Sequence, residues 1–87
     1  MATVFVPSLL RDLTGGKDRV EAAGATVRQI VNAIDAAYPG IRDRLVVDDM
    51  LSPRVQVSVD GNVSRLGLME RVGERSEVHF IPAISGG

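Results

Sequence analysis

One stretch of this 87-residue chain, Thr26 to Tyr38, carries a strong helical period, and no other stretch does. Val27, Ile30, Val31, Ile34 and Tyr38 fall at i, i+3, i+4, i+7 and i+11, which is one face of a helix. Arg28, Asn32 and Asp35 fall on the other side. Thr26 and Gln29 are spaced for a capping box, in which each side chain satisfies a free backbone N–H. Pro39-Gly40 stops the helix. A single amphipathic helix cannot cover its own apolar stripe, so the remaining residues must supply a surface for it.

Those residues read as short strands. Ala2 to Val6 is β-branched and aromatic and is closed by Pro7. Ser8 to Leu13 reads as a short helical turn with Leu9, Leu10 and Leu13 inward. Thr14-Gly15-Gly16 is a turn, and Lys17 to Ala22 returns as a second strand with Val20 inward. Gly15-Gly16 lacks the Lys-Ser/Thr pair of a phosphate loop. Ile41 to Leu45 adds a short turn after the helix, and Tyr38 belongs to the core. Val46 to Pro53 reads as a solvated loop. Its Asp48-Asp49 pair has no third acidic residue or histidine spaced for a metal site. Val55, Val57 and Val59 alternate with polar residues in a half-buried strand. Asp60-Gly61-Asn62 turns it, Val63 to Leu66 returns, and Leu66, Leu68, Met69 and Val72 plug the core. Glu77 to Ile81 is the last strand, with Val78 and Phe80 on one face and His79 and Ile81 on the other. His79, the only histidine, reads as a sheet-surface residue with no relay partner in the local sequence.

Composition narrows the function classes. Hydrophobic residues make up 45% of the chain, which is globular. Only Phe5, Tyr38 and Phe80 are aromatic, so Val, Ile and Leu must build the core. Ten basic against 11 acidic residues, net charge −1, leave no footprint for nucleic acid or an anionic membrane. There is no cysteine, hence no disulfide, thiolate catalysis or zinc-thiolate site. No apolar run approaches a membrane span and no signal peptide is evident. The expected location is the cytoplasm.

Strand, strand, helix, strand, short return, strand is an α+β order. With the first and last strands side by side at the centre, it becomes the β-grasp of ubiquitin: a mixed four- to five-stranded sheet with one main helix on one face. Residues 1–83 form the expected single domain, and 84–87 a flexible C-terminal tail. The last strand runs through Pro82 into Ala83-Ile84-Ser85-Gly86-Gly87. Two terminal glycines let the backbone enter a narrow slot closed to other residues.

This pattern resembles the ThiS/MoaD sulfur carriers, prokaryotic relatives of ubiquitin. Glu77-Val78-His79-Phe80-Ile81-Pro82-Ala83-Ile84-Ser85-Gly86-Gly87 matches their end: acidic residue, apolar strand, proline, small apolar pair, Gly-Gly. Leu10 to Gly16 and Tyr38 to Leu45 are similar to the branch that feeds a cysteine synthase, the CysO-like branch. Glu74-Arg75-Ser76 replaces the usual Asp-Gly-Asp, so contacts made through that turn are not carried over.

The resemblance implies a carrier and not an enzyme, with no catalytic residue, metal or bound cofactor of its own. An adenylating activating enzyme uses ATP to join Gly87 to AMP, and a sulfur donor then leaves a thiocarboxylate there. Ser85, Gly86 and Gly87 are expected to be recognised by the partner, with Ile81 and His79 on its docking face. The sulfur acceptor is a cysteine-synthase-like enzyme, with molybdopterin or thiazole synthase behind it. Two alternatives stand beside this: a ubiquitin-like modifier conjugated to lysine through Gly87, and a non-covalent interaction module.

Overall fold

The computed structural model describes residues 1–82. The expected boundary between body and tail therefore lies outside the described residues. Five strands form one sheet: β1 (Ala2–Phe5), β2 (Arg19–Ala22), β5 (Val55–Val59), β6 (Asn62–Val63) and β7 (Glu77–Pro82). Their order across the sheet is β2-β1-β7-β5-β6. β1 and β7 pair in parallel at the centre, Val4 opposite Val78 and Phe5 opposite His79. β2 flanks β1, and β5 flanks β7, both antiparallel. This is the expected mixed sheet.

The main helix α1 (Val27–Ala37) packs Val27, Ile30, Val31 and Ile34 on one sheet face. Facing them are Val4, Val20, Val57, Val78 and Phe80, none more than 9% exposed. Thr26 caps the helix by accepting from the Gln29 N–H. The Gln29 side chain accepts from the Ala25 N–H at 2.7 Å, one residue before the position of a standard capping box. Tyr38 packs partly against the core and its hydroxyl meets Lys17 Nζ at 3.2 Å. Gly40, at φ +106°, takes the left-handed turn into α2 (Ile41–Leu45).

Three expectations are corrected. Val46 to Pro53 is not a plain loop: β3 (Val46–Val47) and β4 (Met50–Leu51) form a small antiparallel hairpin. Asp48 and Asp49 make its turn at φ 52° and 60°, in the left-handed region that Asp tolerates better than most residues. Leu9 does not face inward. It is 72% exposed while Leu10 is buried, because a single 3₁₀ turn over Ser8–Leu10 can bury only one of two consecutive leucines. In the return segment, Leu68 and Val72 are buried but Leu66 and Met69 face solvent. A 3₁₀ turn at Gly67–Met69 places residues one-third of a turn apart.

Candidate functional site

β7 is the strand that delivers the chain to Ser85, Gly86 and Gly87, which lie outside the described residues. It is held on both sides. β1 pairs with it as far as His79, and β5 pairs with it to its end, where Val55 opposes Pro82. Beyond Phe5 the chain turns away at Val6 and Pro7, so Ile81 loses its neighbour on that side and is 39% exposed.

The start of β7 is fixed by a residue that sequence reading treated only as a turn former. Asp60, at φ 52°, accepts from the Glu77 N–H at 2.9 Å and from the Ser76 hydroxyl at 2.7 Å. Its own N–H donates to the Glu77 carbonyl at 2.9 Å. The Glu77 N–H, and after it the Ser76 hydroxyl, hold the Asp60 carboxyl below the usual carboxylate range. Ser76 also accepts from the Gly73 N–H at 2.8 Å. The Glu74-Arg75-Ser76 turn therefore draws its order from Asp60.

On the outer sheet face, Phe5 and His79 stack with centroids 4.1 Å apart and planes 3° from parallel. The Arg19 guanidinium lies 5.5 Å from the Phe5 ring centre. Glu77 Oε1 stands 3.9 Å from His79 Nε2. Three adjacent strands thus contribute a layered Arg19–Phe5–His79 group, and Ile81 continues the same face. The structure brings the two expected docking residues, His79 and Ile81, together on that face and away from the core.

Asp48 and Asp49 do not gather a metal site. No group of three or more His, Cys, Asp or Glu side chains is placed to hold an ion among the described residues. Asp49 instead bridges Arg28 of α1 and Arg42 of α2. The hydrogen bond from Arg28 and its charge lower the Asp49 carboxyl, and Arg42 also donates to Asn32 at 3.2 Å. The pair is a clamp from the hairpin to the helices. Nothing in its sequence context announced that, because Arg28 and Asp49 are 21 residues apart. No helix among the described residues is long and apolar enough to cross a membrane.

A central parallel pair, one packed helix and a last strand leading toward Gly-Gly define the ubiquitin-like β-grasp class of small carrier and modifier proteins. The chain belongs to the ThiS family, which it matches over residues 4–87. It is 34% identical over 92 residues to the sulfur carrier protein CysO of Mycobacterium bovis, covering 98% of this chain and 97% of that protein. A chain of the Amycolatopsis orientalis BexX/CysO complex superposes with a TM-score of 0.92 at 36% identity, covering all of both chains. Haloferax volcanii small archaeal modifier protein 1 (SAMP1) superposes at 0.73 with 28% identity, over 99% of this chain and 98% of that one. The resemblance read from the C-terminal pattern is thereby established, together with the fold it implied.

Proposed function

We propose that this protein is a sulfur carrier in cysteine synthesis and that the sulfur rides on Gly87 as a thiocarboxylate. The observation that carries the reading is the run of β7, paired with β1 as far as His79 and with β5 up to Pro82, into a ThiS-family Ala83-Ile84-Ser85-Gly86-Gly87 end. The full-length match to CysO favours cysteine synthesis over molybdopterin or thiazole synthesis. The match to an archaeal modifier is weaker and keeps lysine conjugation as the second reading.

A carboxylate is a poor electrophile. In the proposed sequence an adenylating enzyme has the Gly87 carboxylate attack the α-phosphorus of ATP, and pyrophosphate leaves. The resulting mixed anhydride has AMP as a good leaving group. Sulfide from the donor forms a C–S bond as the C–O bond to AMP breaks, AMP leaves with the bonding electrons, and loss of the S–H proton leaves the thiocarboxylate. An acceptor enzyme of the cysteine-synthase kind then receives the sulfur. The body of the carrier supplies no acid, base or metal to these steps. It holds the end of the chain and presents a docking face at Ile81 and His79.

The test is mass spectrometry after incubation with ATP, the adenylating enzyme and a sulfur donor. Exchange of oxygen for sulfur adds about 16 Da, confined to the last residue. An unmodified terminus, or sulfur transfer that survives deletion of Gly87, overturns the reading. High-molecular-weight conjugates on a denaturing gel favour the modifier.

A further inference from the structure

On the side of β7 opposite His79, at the strand's end, lies a groove of about 200 Å³. Its floor is apolar: Pro7, Leu10, Val55 and Phe80 contribute to it, and Ile81 and Pro82 form one edge. Leu9 stands at the groove with 72% of its surface in water. Arg44 and Arg54 also line it, and no carboxylate does. Neither arginine has an ion-pair partner among the described residues.

A buried serine, Ser52, fixes the backbone at Arg54 and ties it to the end of α2, which carries Arg44. The Ser52 N–H donates to the Leu45 carbonyl at 2.8 Å, which brings its turn against the end of α2. The Arg54 N–H donates to Ser52 Oγ at 3.2 Å, and the Val55 N–H to the Ser52 carbonyl at 3.0 Å. The wall is therefore ordered before any partner arrives, which lowers the ordering cost of binding.

A tether argument says what must meet this groove. Five residues follow Pro82, the last of them Gly87, and at full extension they reach about 18 Å. An enzyme that takes the Gly87 carboxylate into its ATP site must bring its own surface close to Pro82. It meets whatever flanks Pro82 on both sides of the strand. An exposed leucine beside an apolar floor is surface that such a partner can remove from water. Two arginines without a carboxylate select acidic groups on the facing surface.

We propose that the adenylating enzyme docks in this groove as well as on the sheet face, through an apolar segment flanked by carboxylates. The proposal rests on the adenylation of Gly87 argued above. The experiment is ATP–pyrophosphate exchange by the purified adenylating enzyme of the source organism, with the full-length carrier as variable substrate. Leu9→Glu and the double variant Arg44→Ala/Arg54→Ala should each raise the KM for carrier about tenfold, with kcat little changed, as for loss of a docking anchor. The wild-type KM should rise with ionic strength, and the double variant should lose that dependence. Arg75→Glu, in the turn at the far end of β7, serves as the control for net charge. Leu9 is exposed, so its change leaves the core intact.

An unchanged KM in both groove variants overturns the proposal, as does a fall in kcat alone or an equal shift with Arg75→Glu. Absence of exchange with the wild-type carrier overturns the adenylation reading and this proposal with it.

Discussion

Phe5 and His79 lie face to face across the central parallel pair, 4.1 Å between ring centres and 3° from parallel. The two rings are opposite each other in register, Phe5 on β1 and His79 on β7. The contact ties the strand that delivers the C-terminal segment to the first strand of the fold. Phe5→Ala should cost the stacking term, about 0.5–1.5 kcal/mol beyond the area lost. A denaturant titration of Phe5→Ala, His79→Ala and the double variant measures it. Strict additivity of the two single changes would show that the rings do not interact.

Ile81 continues the same face with 39% of its surface exposed. Ile81→Glu should weaken binding to the adenylating enzyme. Arg28→Glu, on the helix side and engaged with Asp49, should leave binding unchanged. Calorimetric titration compares them, and the reverse ranking would move the docking face to the helix.

Phe80 is 4% exposed within the core. Phe80→Ala should cost ~3–5 kcal/mol, a large part of the stability of so small a domain. A loss under about 1 kcal/mol in urea unfolding is incompatible with the packing.

Gly24 has no room for a side chain. An added Cβ would stand 2.8 Å from the Gln29 Cβ and 3.0 Å from the Ile30 nitrogen, in the first turns of α1. Gly24→Ala should therefore destabilise by about 1–3 kcal/mol through overpacking. Elsewhere, the same replacement commonly stabilises by restricting the unfolded chain. A raised thermal midpoint for Gly24→Ala would show that the contact relaxes freely.

Asp60 gives the acid limb of stability its expected sign. Its carboxyl is held below the usual value by the Glu77 N–H and the Ser76 hydroxyl. A depressed folded pKa means the unfolded chain binds the proton more readily. The contribution is present above the ordinary carboxylate pKa, about 3.9, and is lost as pH falls through the lower folded value. Asp60→Asn should flatten the fall in urea midpoint below about pH 4. An unchanged slope would show that the Asp60 hydrogen bonds do not couple to folding.

The helix, the order of the strands and the inward residues of β1, β5 and β7 were legible because each repeats a period long enough to read. The central pairing followed from needing to bury Val4 and Val78 together. The β3–β4 hairpin was not legible: its strands are two residues each, too short to show alternation, and its turn uses two aspartates where glycine is the usual signal. Leu9 and Met69 were misplaced because a single 3₁₀ turn offers no repeat from which to tell inside from outside. Asp60 and Asp49 act across 17 and 21 residues of sequence, and no local pattern carries such a partner. The groove was invisible for the same reason, since it joins four separated segments.

The central place of β7 also bears on when this protein becomes a folded object. Thr3, Val4 and Phe5 wait for Glu77, Val78 and His79, and β1 and β5, each paired on its outer side, keep one open edge until β7 arrives. A chain emerging from the ribosome has the helix and the first hairpin early, yet it cannot close its sheet until synthesis has passed Pro82. Partners so distant in sequence fold late and slowly. The strand that leads toward Gly87 is thus also the one that completes the body, so the last residues of this carrier are made before its sheet can close.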